Sequence, residues 1–66
     1  MKQFYSISEV AKILGIKFYK IAYAHSAGLV PEPDRIMNKR VYQELDILKL
    51  ARHFEVNEDD VKLKMK

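Results

Sequence analysis

Two small clusters of side chains have the chemistry to hold an anion. Lys17, Tyr19, Lys20 and Tyr23 lie close together in one segment, and Arg35, Lys39 and Arg40 follow in another. Ammonium and guanidinium groups pair with phosphate oxygens, and guanidinium can do so through two parallel hydrogen bonds. A tyrosine hydroxyl can donate to a phosphate while its ring packs on a sugar or a methyl group. Catalytic patterns are missing. No nucleophile has a base or an oxyanion donor at sensible spacing, and two glycines cannot build a glycine-rich phosphate loop. His25 and His53 are far apart in a chain without cysteine, which does not make a metal site. The acids Glu58, Asp59 and Asp60 fit the positive end of a helix better than a cation site. We therefore expect no enzyme, no cofactor and no metal.

Charge distribution supports an anionic partner. The chain of 66 residues has a formal net charge of +3. Residues 1–42 hold seven Lys or Arg against three acids, net +4; residues 43–66 hold five against six, net −1. Such an excess at one end favours nucleic acid above all. With 48% hydrophobic and 32% charged residues the composition fits one foldable domain over residues 1–66. A domain this small buries only about 60% of its unfolded surface, so its core must be used fully. No secretory leader and no membrane-length apolar run is visible, which leads us to expect a cytoplasmic protein with no membrane partner.

The elements that must position these side chains are legible from local signals. Ser6-Ile7-Ser8-Glu9 is a capping box, with Tyr5 and Val10 at the flanking staple positions. Ile7, Val10, Ala11 and Leu14 then form an apolar stripe, and Gly15 stops the helix, giving a helix over residues 7–14. After the short turn Gly15-Ile16-Lys17 a second helix spans residues 17–27, with Gly28 ending it. At 100° per residue, Phe18, Ile21, Ala22 and His25 fall within about 100° and form the expected core face. Tyr19, Lys20, Tyr23, Ser26 and Ala27 take the opposite side, which carries no acid. His25 is expected as a hydrogen-bonded, half-buried histidine, and His53 as a helix-end one.

Leu29-Val30-Pro31-Glu32-Pro33 is expected to be extended, because proline disfavours helix at and before itself. Arg35-Ile36 and Val41-Tyr42 flank Met37-Asn38-Lys39-Arg40, a short β-hairpin turning near Asn38. We expect this hairpin to be a wing over residues 33–42. A third helix begins near Glu44, with Ile47, Leu50, Ala51 and Phe54 as its core stripe. Asn57 caps a short last helix reaching about Met65. Met37 and Met65 are expected to be filler or surface residues.

Helix, three-residue turn, basic aromatic helix and basic hairpin together make a mostly α winged helix-turn-helix. The run from Tyr5 to Ile16, YSISEVAKILGI, resembles the opening of the mercury-resistance regulator (MerR) superfamily. Gly28-Leu29-Val30-Pro31 and Arg40-Val41-Tyr42-Gln43-Glu44-Leu45-Asp46-Ile47 resemble its later segments, in the same order and spacing. The resemblance implies double-stranded DNA binding by the second helix and by the wing, with Tyr23 and Arg40 at the family's contact positions. It also has departures. Lys17 stands where a Ser or Thr cap is usual, and Ala22-Tyr23-Ala24 stands where Arg-Tyr-Tyr is common. Full regulators add a dimerising coiled coil and often an effector domain. This chain is similar to the minimal, excisionase-like branch without them, so we expect a monomer or weak self-association.

The expected function is sequence-specific DNA binding in transcriptional regulation, in the cytoplasm and at the nucleoid when bound. Alternatives are an architectural factor that bends DNA, the DNA-binding end of a longer regulator, and a protein-interaction module. The last would dock a protein partner through Tyr19 and Tyr23.

Overall fold

A computed structural model describes residues 4–65. The chain runs α1 (Ile7–Leu14), α2 (Phe18–Ser26), β1 (Arg35–Ile36), β2 (Lys39–Arg40), α3 (Glu44–His53) and α4 (Glu58–Lys64). It is mostly helical with one two-stranded antiparallel hairpin, a winged helix-turn-helix.

Local chemistry sets the first boundaries. The Ser6 hydroxyl accepts from the Glu9 amide at 3.2 Å, and the Glu9 carboxylate accepts from the Ser6 amide at 3.0 Å. Both staple positions, Tyr5 and Val10, are buried. Gly15 turns left-handed at φ 72°, which lets its amide and that of Ile16 fold back onto the Ala11 carbonyl. The second helix starts with Lys17 as its cap, and no side chain caps its first amides. It ends at Gly28 (φ 74°) in a paired closure: Gly28 donates to the His25 carbonyl and Leu29 to that of Ala24. Val30 also donates to Ala24, so Leu29 and Val30 bend back under the helix. The expected extended run begins only after them. Carbonyls at the helix end need donors, and these two amides supply them before the prolines intervene.

The buried core holds Val10, Ala11, Ile13 and Leu14 of α1, Ile21 and Ala24 of α2, Ile47, Leu50 and Ala51 of α3, and Val61 of α4. Tyr5, Val30 and Tyr42 complete it. Here the second helix departs from the expected phase. Phe18 is 58% exposed, Ala22 is only partly covered, and Ala24 is buried instead. The inward arc is therefore Ile21, Ala24 and His25, rotated away from Phe18. Leu29 and Val30 fold back onto the Ala24 carbonyl, so the side of the helix that is covered is the one carrying Ala24.

The wing is tighter than expected. Arg35 pairs with Arg40 and Ile36 with Lys39, leaving Met37 and Asn38 as a two-residue turn with φ of 52° and 67°. Both positive angles define the mirror-image turn whose twist suits a hairpin. The returning strand is thus Lys39–Arg40 and not Val41-Tyr42. Tyr42 pairs instead with Tyr5 in an isolated antiparallel bridge, their amides and carbonyls exchanging bonds of 2.9 and 2.8 Å.

Helix α3 begins with the Asp46 carboxylate accepting from the Gln43 amide at 3.0 Å. It closes through Glu55 at φ 58°, with Val56 donating to the Ala51 carbonyl. Asn57 caps α4, its side-chain oxygen accepting from the amides of Asp59 and Asp60. Phe54 is only half-buried, since it sits at the exit of α3 and not within it.

Candidate nucleic-acid interface

The helix cluster lies where the pattern put it. Tyr19, Lys20 and Tyr23 are exposed on the outward side of α2, and Lys17 is exposed at its cap. Tyr19 and Tyr23 keep more than half of their surface free. Phe18 joins them from the first turn, its ring meeting that of Tyr19 edge-on at 6.0 Å. Sequence reasoning assigned Phe18 to the core and so missed it as a surface group. Tyr19, Lys20 and Tyr23 also line an open apolar groove of about 620 Å³, together with Leu29, His53 and Phe54.

At the wing, Arg35 and Arg40 face each other across the hairpin. Like charges directly opposite repel. One carboxylate oxygen of Glu32 resolves this, accepting from Arg35 Nη2 at 2.8 Å and from Arg40 Nε at 3.0 Å. The Arg35 and Arg40 hydrogen bonds hold the Glu32 carboxyl below its usual range. Glu32 is a second group that sequence reading missed, although two arginines set opposite each other do call for an anion. Arg40 is the more enclosed of the pair, 23% exposed against 47% for Arg35. Lys17, Lys20 and Lys39 have no acidic partner among the described residues.

The two clusters share no direct hydrogen bond among the described residues; they are coupled from beneath. His25, on the inner side of α2, places Nδ1 3.2 Å from the Val30 carbonyl and Nε2 3.0 Å from the Tyr42 hydroxyl. A carbonyl can only accept, so Nδ1 carries the hydrogen, and in the neutral ring Nε2 accepts from Tyr42. Tyr42 is fully buried, two residues beyond Arg40, and burial pushes its hydroxyl up to about 12. His25 is therefore structural, as expected, and more buried than the half expected. This buried bond ties the helix that carries Tyr19, Lys20 and Tyr23 to the strand that leaves the wing.

A short turn between two helices, a solvent-facing second helix and a cationic hairpin define the winged helix-turn-helix class of DNA-binding proteins. The chain belongs to the family of MerR helix-turn-helix regulatory proteins, whose model matches residues 5–65. That is a family of DNA-binding regulators and not of enzymes. No curated protein matches the chain. No helix among the described residues is long and apolar enough to cross a membrane.

Proposed function

We propose that the chain is a sequence-specific regulator that sets α2 into the major groove of double-stranded DNA and rests its wing on the backbone. The observation that carries this is the acid-free outward side of α2, where Lys20 stands between two tyrosines that are more than half exposed. Lys17, Lys20 and Lys39 then supply unpaired cations to phosphates, while Tyr19 and Tyr23 reach base edges, sugars or methyl groups. Arg35 and Arg40 hold the flanking backbone at the wing. In this reading the protein acts at the chromosome, in the cytoplasm.

Binding to random-sequence duplex, followed against salt, tests the proposal. With about four to six phosphates engaged, log affinity falls against log salt with a slope near −4 to −5. Arg40→Ala weakens binding to every duplex by about 1–3 kcal/mol and lowers that slope by about one. Affinity indifferent to salt removes the DNA reading.

A second reading rests on the apolar groove beside Tyr19 and Tyr23. Grooves of this kind suit protein partners, and a partner seated there competes with DNA for the same tyrosines. Capture of a partner that Tyr23→Ala abolishes, with no duplex binding at low salt, selects this reading.

A further inference from the structure

The wing tip is built in a way that backbone contact alone does not explain. Met37 is 90% exposed, the highest value among the large apolar side chains of the described residues, and Ile36 beside it is 55% exposed. Met37 also holds φ at 52°, in the first position of the turn. Glycine or asparagine meets that angle with less strain than methionine does. The residue therefore serves neither the core nor the turn. Behind the two-residue turn that it shares with Asn38, Lys39 pairs in register with Ile36, and the Arg35–Arg40 pair stands one step further back.

We infer that Met37 is a wedge that enters the DNA minor groove at a deformable base step, while the cations behind it hold the flanking phosphates. The inference rests on the DNA-binding reading above and adds to it a residue and a groove. The dimensions agree. Strands advance about 3.4 Å per residue, so the tip stands roughly 6–7 Å beyond the Arg35–Arg40 pair. The minor groove is about 6 Å wide and 7.5 Å deep, so a two-residue tip enters where a helix cannot. Methionine is unbranched and polarisable, a shape that slides between base edges and packs against their faces. Apolar side chains inserted this way part a base step and kink the duplex. Pyrimidine–purine steps open most easily, so Met37 confers a preference for them without any hydrogen bond to a base. Two acids, Glu32 and Asp34, precede the hairpin, but Glu32 is occupied by the two arginines and Lys39 remains unpaired next to the tip. The charge beside the wedge is thus positive, which suits a polyanion and disfavours a cationic surface such as a second copy of this chain.

The test compares wild type with Met37→Ala, Met37→Gly and Met37→Leu on end-labelled duplexes, reading affinity by anisotropy and bend by energy transfer between the ends. Glycine fits the positive φ, so that variant cannot fail through turn strain. Wild type and Met37→Leu are expected to shorten the end-to-end distance. The alanine and glycine variants bind within about tenfold of wild type but leave the duplex straight. Replacing G·C by inosine·cytosine removes only the minor-groove amino group. It is expected to tighten wild-type binding and leave the alanine variant unmoved. Wild-type binding with bend and inosine response unchanged in the alanine and glycine variants overturns the wedge alone. Failure of wild type to bind any duplex overturns the DNA reading and the wedge with it.

Discussion

Helix α2 and the wing both present cations and exposed side chains, yet they are held in opposite ways. The helix is anchored from below: Ile21, Ala24 and His25 are buried, and His25 is bonded on both ring nitrogens. The wing buries none of its strand residues and is held from the side by Glu32 bridging two arginines. One element therefore draws its position from the core and can vary its outer face freely. The other draws it from surface charge, which salt, acid or an incoming phosphate can loosen. In the DNA-binding reading proposed above, that division gives one fixed reader and one adjustable arm.

The largest effect should come from the anchored side. Ile21→Ala removes a fully buried side chain and should cost about 2–5 kcal/mol, enough to unfold much of so small a domain. Phe18→Ala, three positions earlier, should cost less than about 1 kcal/mol because its ring is mostly in water. Chemical denaturation of the two variants measures the helix's phase; similar losses would return Phe18 to the core.

Next comes the bond beneath both elements. Tyr42→Phe leaves His25 Nε2 buried without its donor and should cost about 1–3 kcal/mol. Alkali tests the same hydroxyl. Its folded value of about 12 lies above the ordinary 10.0, so its contribution is whole below pH 10. Between pH 10 and about 12 the unfolded chain loses this proton first, and stability falls by about 2–3 kcal/mol. That fall should disappear in Tyr42→Phe, as followed by melting at successive pH values.

A smaller gain is available at the exit of α3. Glu55 holds a left-handed angle that glycine adopts freely, so Glu55→Gly should stabilise the fold by about 1 kcal/mol without touching either cationic cluster. An unchanged denaturation midpoint would mean that the Glu55 side chain compensates for its strained backbone.

The smallest effect on stability belongs to the wing. Glu32→Gln frees Arg35 and Arg40 from their shared carboxylate, and duplex binding should tighten with a slightly steeper salt slope. Because the folded carboxyl is held below its usual range, its contribution is present above that range and fades as pH falls through the lowered value. The exposed site makes the fading slight, and it should vanish in the variant. If Glu32→Gln weakens binding instead, the carboxylate positions the arginines more than it occupies them.

The same division explains what could be read from the chain alone. Helix α1 was legible end to end because its box, its staple and its glycine are all local signals. Gly28 and Asn38 marked their turns for the same reason. The Phe18 side of α2 was not legible, since the inward arc depends on what α1 and α3 present to it. Glu32 was passed over because its meeting with Arg35 and Arg40 exists only once the hairpin register is fixed. His25 announced a need for partners, but Tyr42 lies seventeen positions away and only the fold brings it near. The close of α3 carried no glycine, so nothing local marked Glu55 as its turning point.

The bond from the Tyr5 hydroxyl to the Met65 carbonyl, 3.1 Å long, has a geometric consequence for building with this domain. It brings positions sixty residues apart within one side chain's reach, so Tyr5 and Met65 lie beside each other. A short linker between those two positions can close the chain into a ring, and new ends can then be cut in an exposed connection such as the Met37-Asn38 turn. A fluorophore at either of these two positions would report from the same side of the fold.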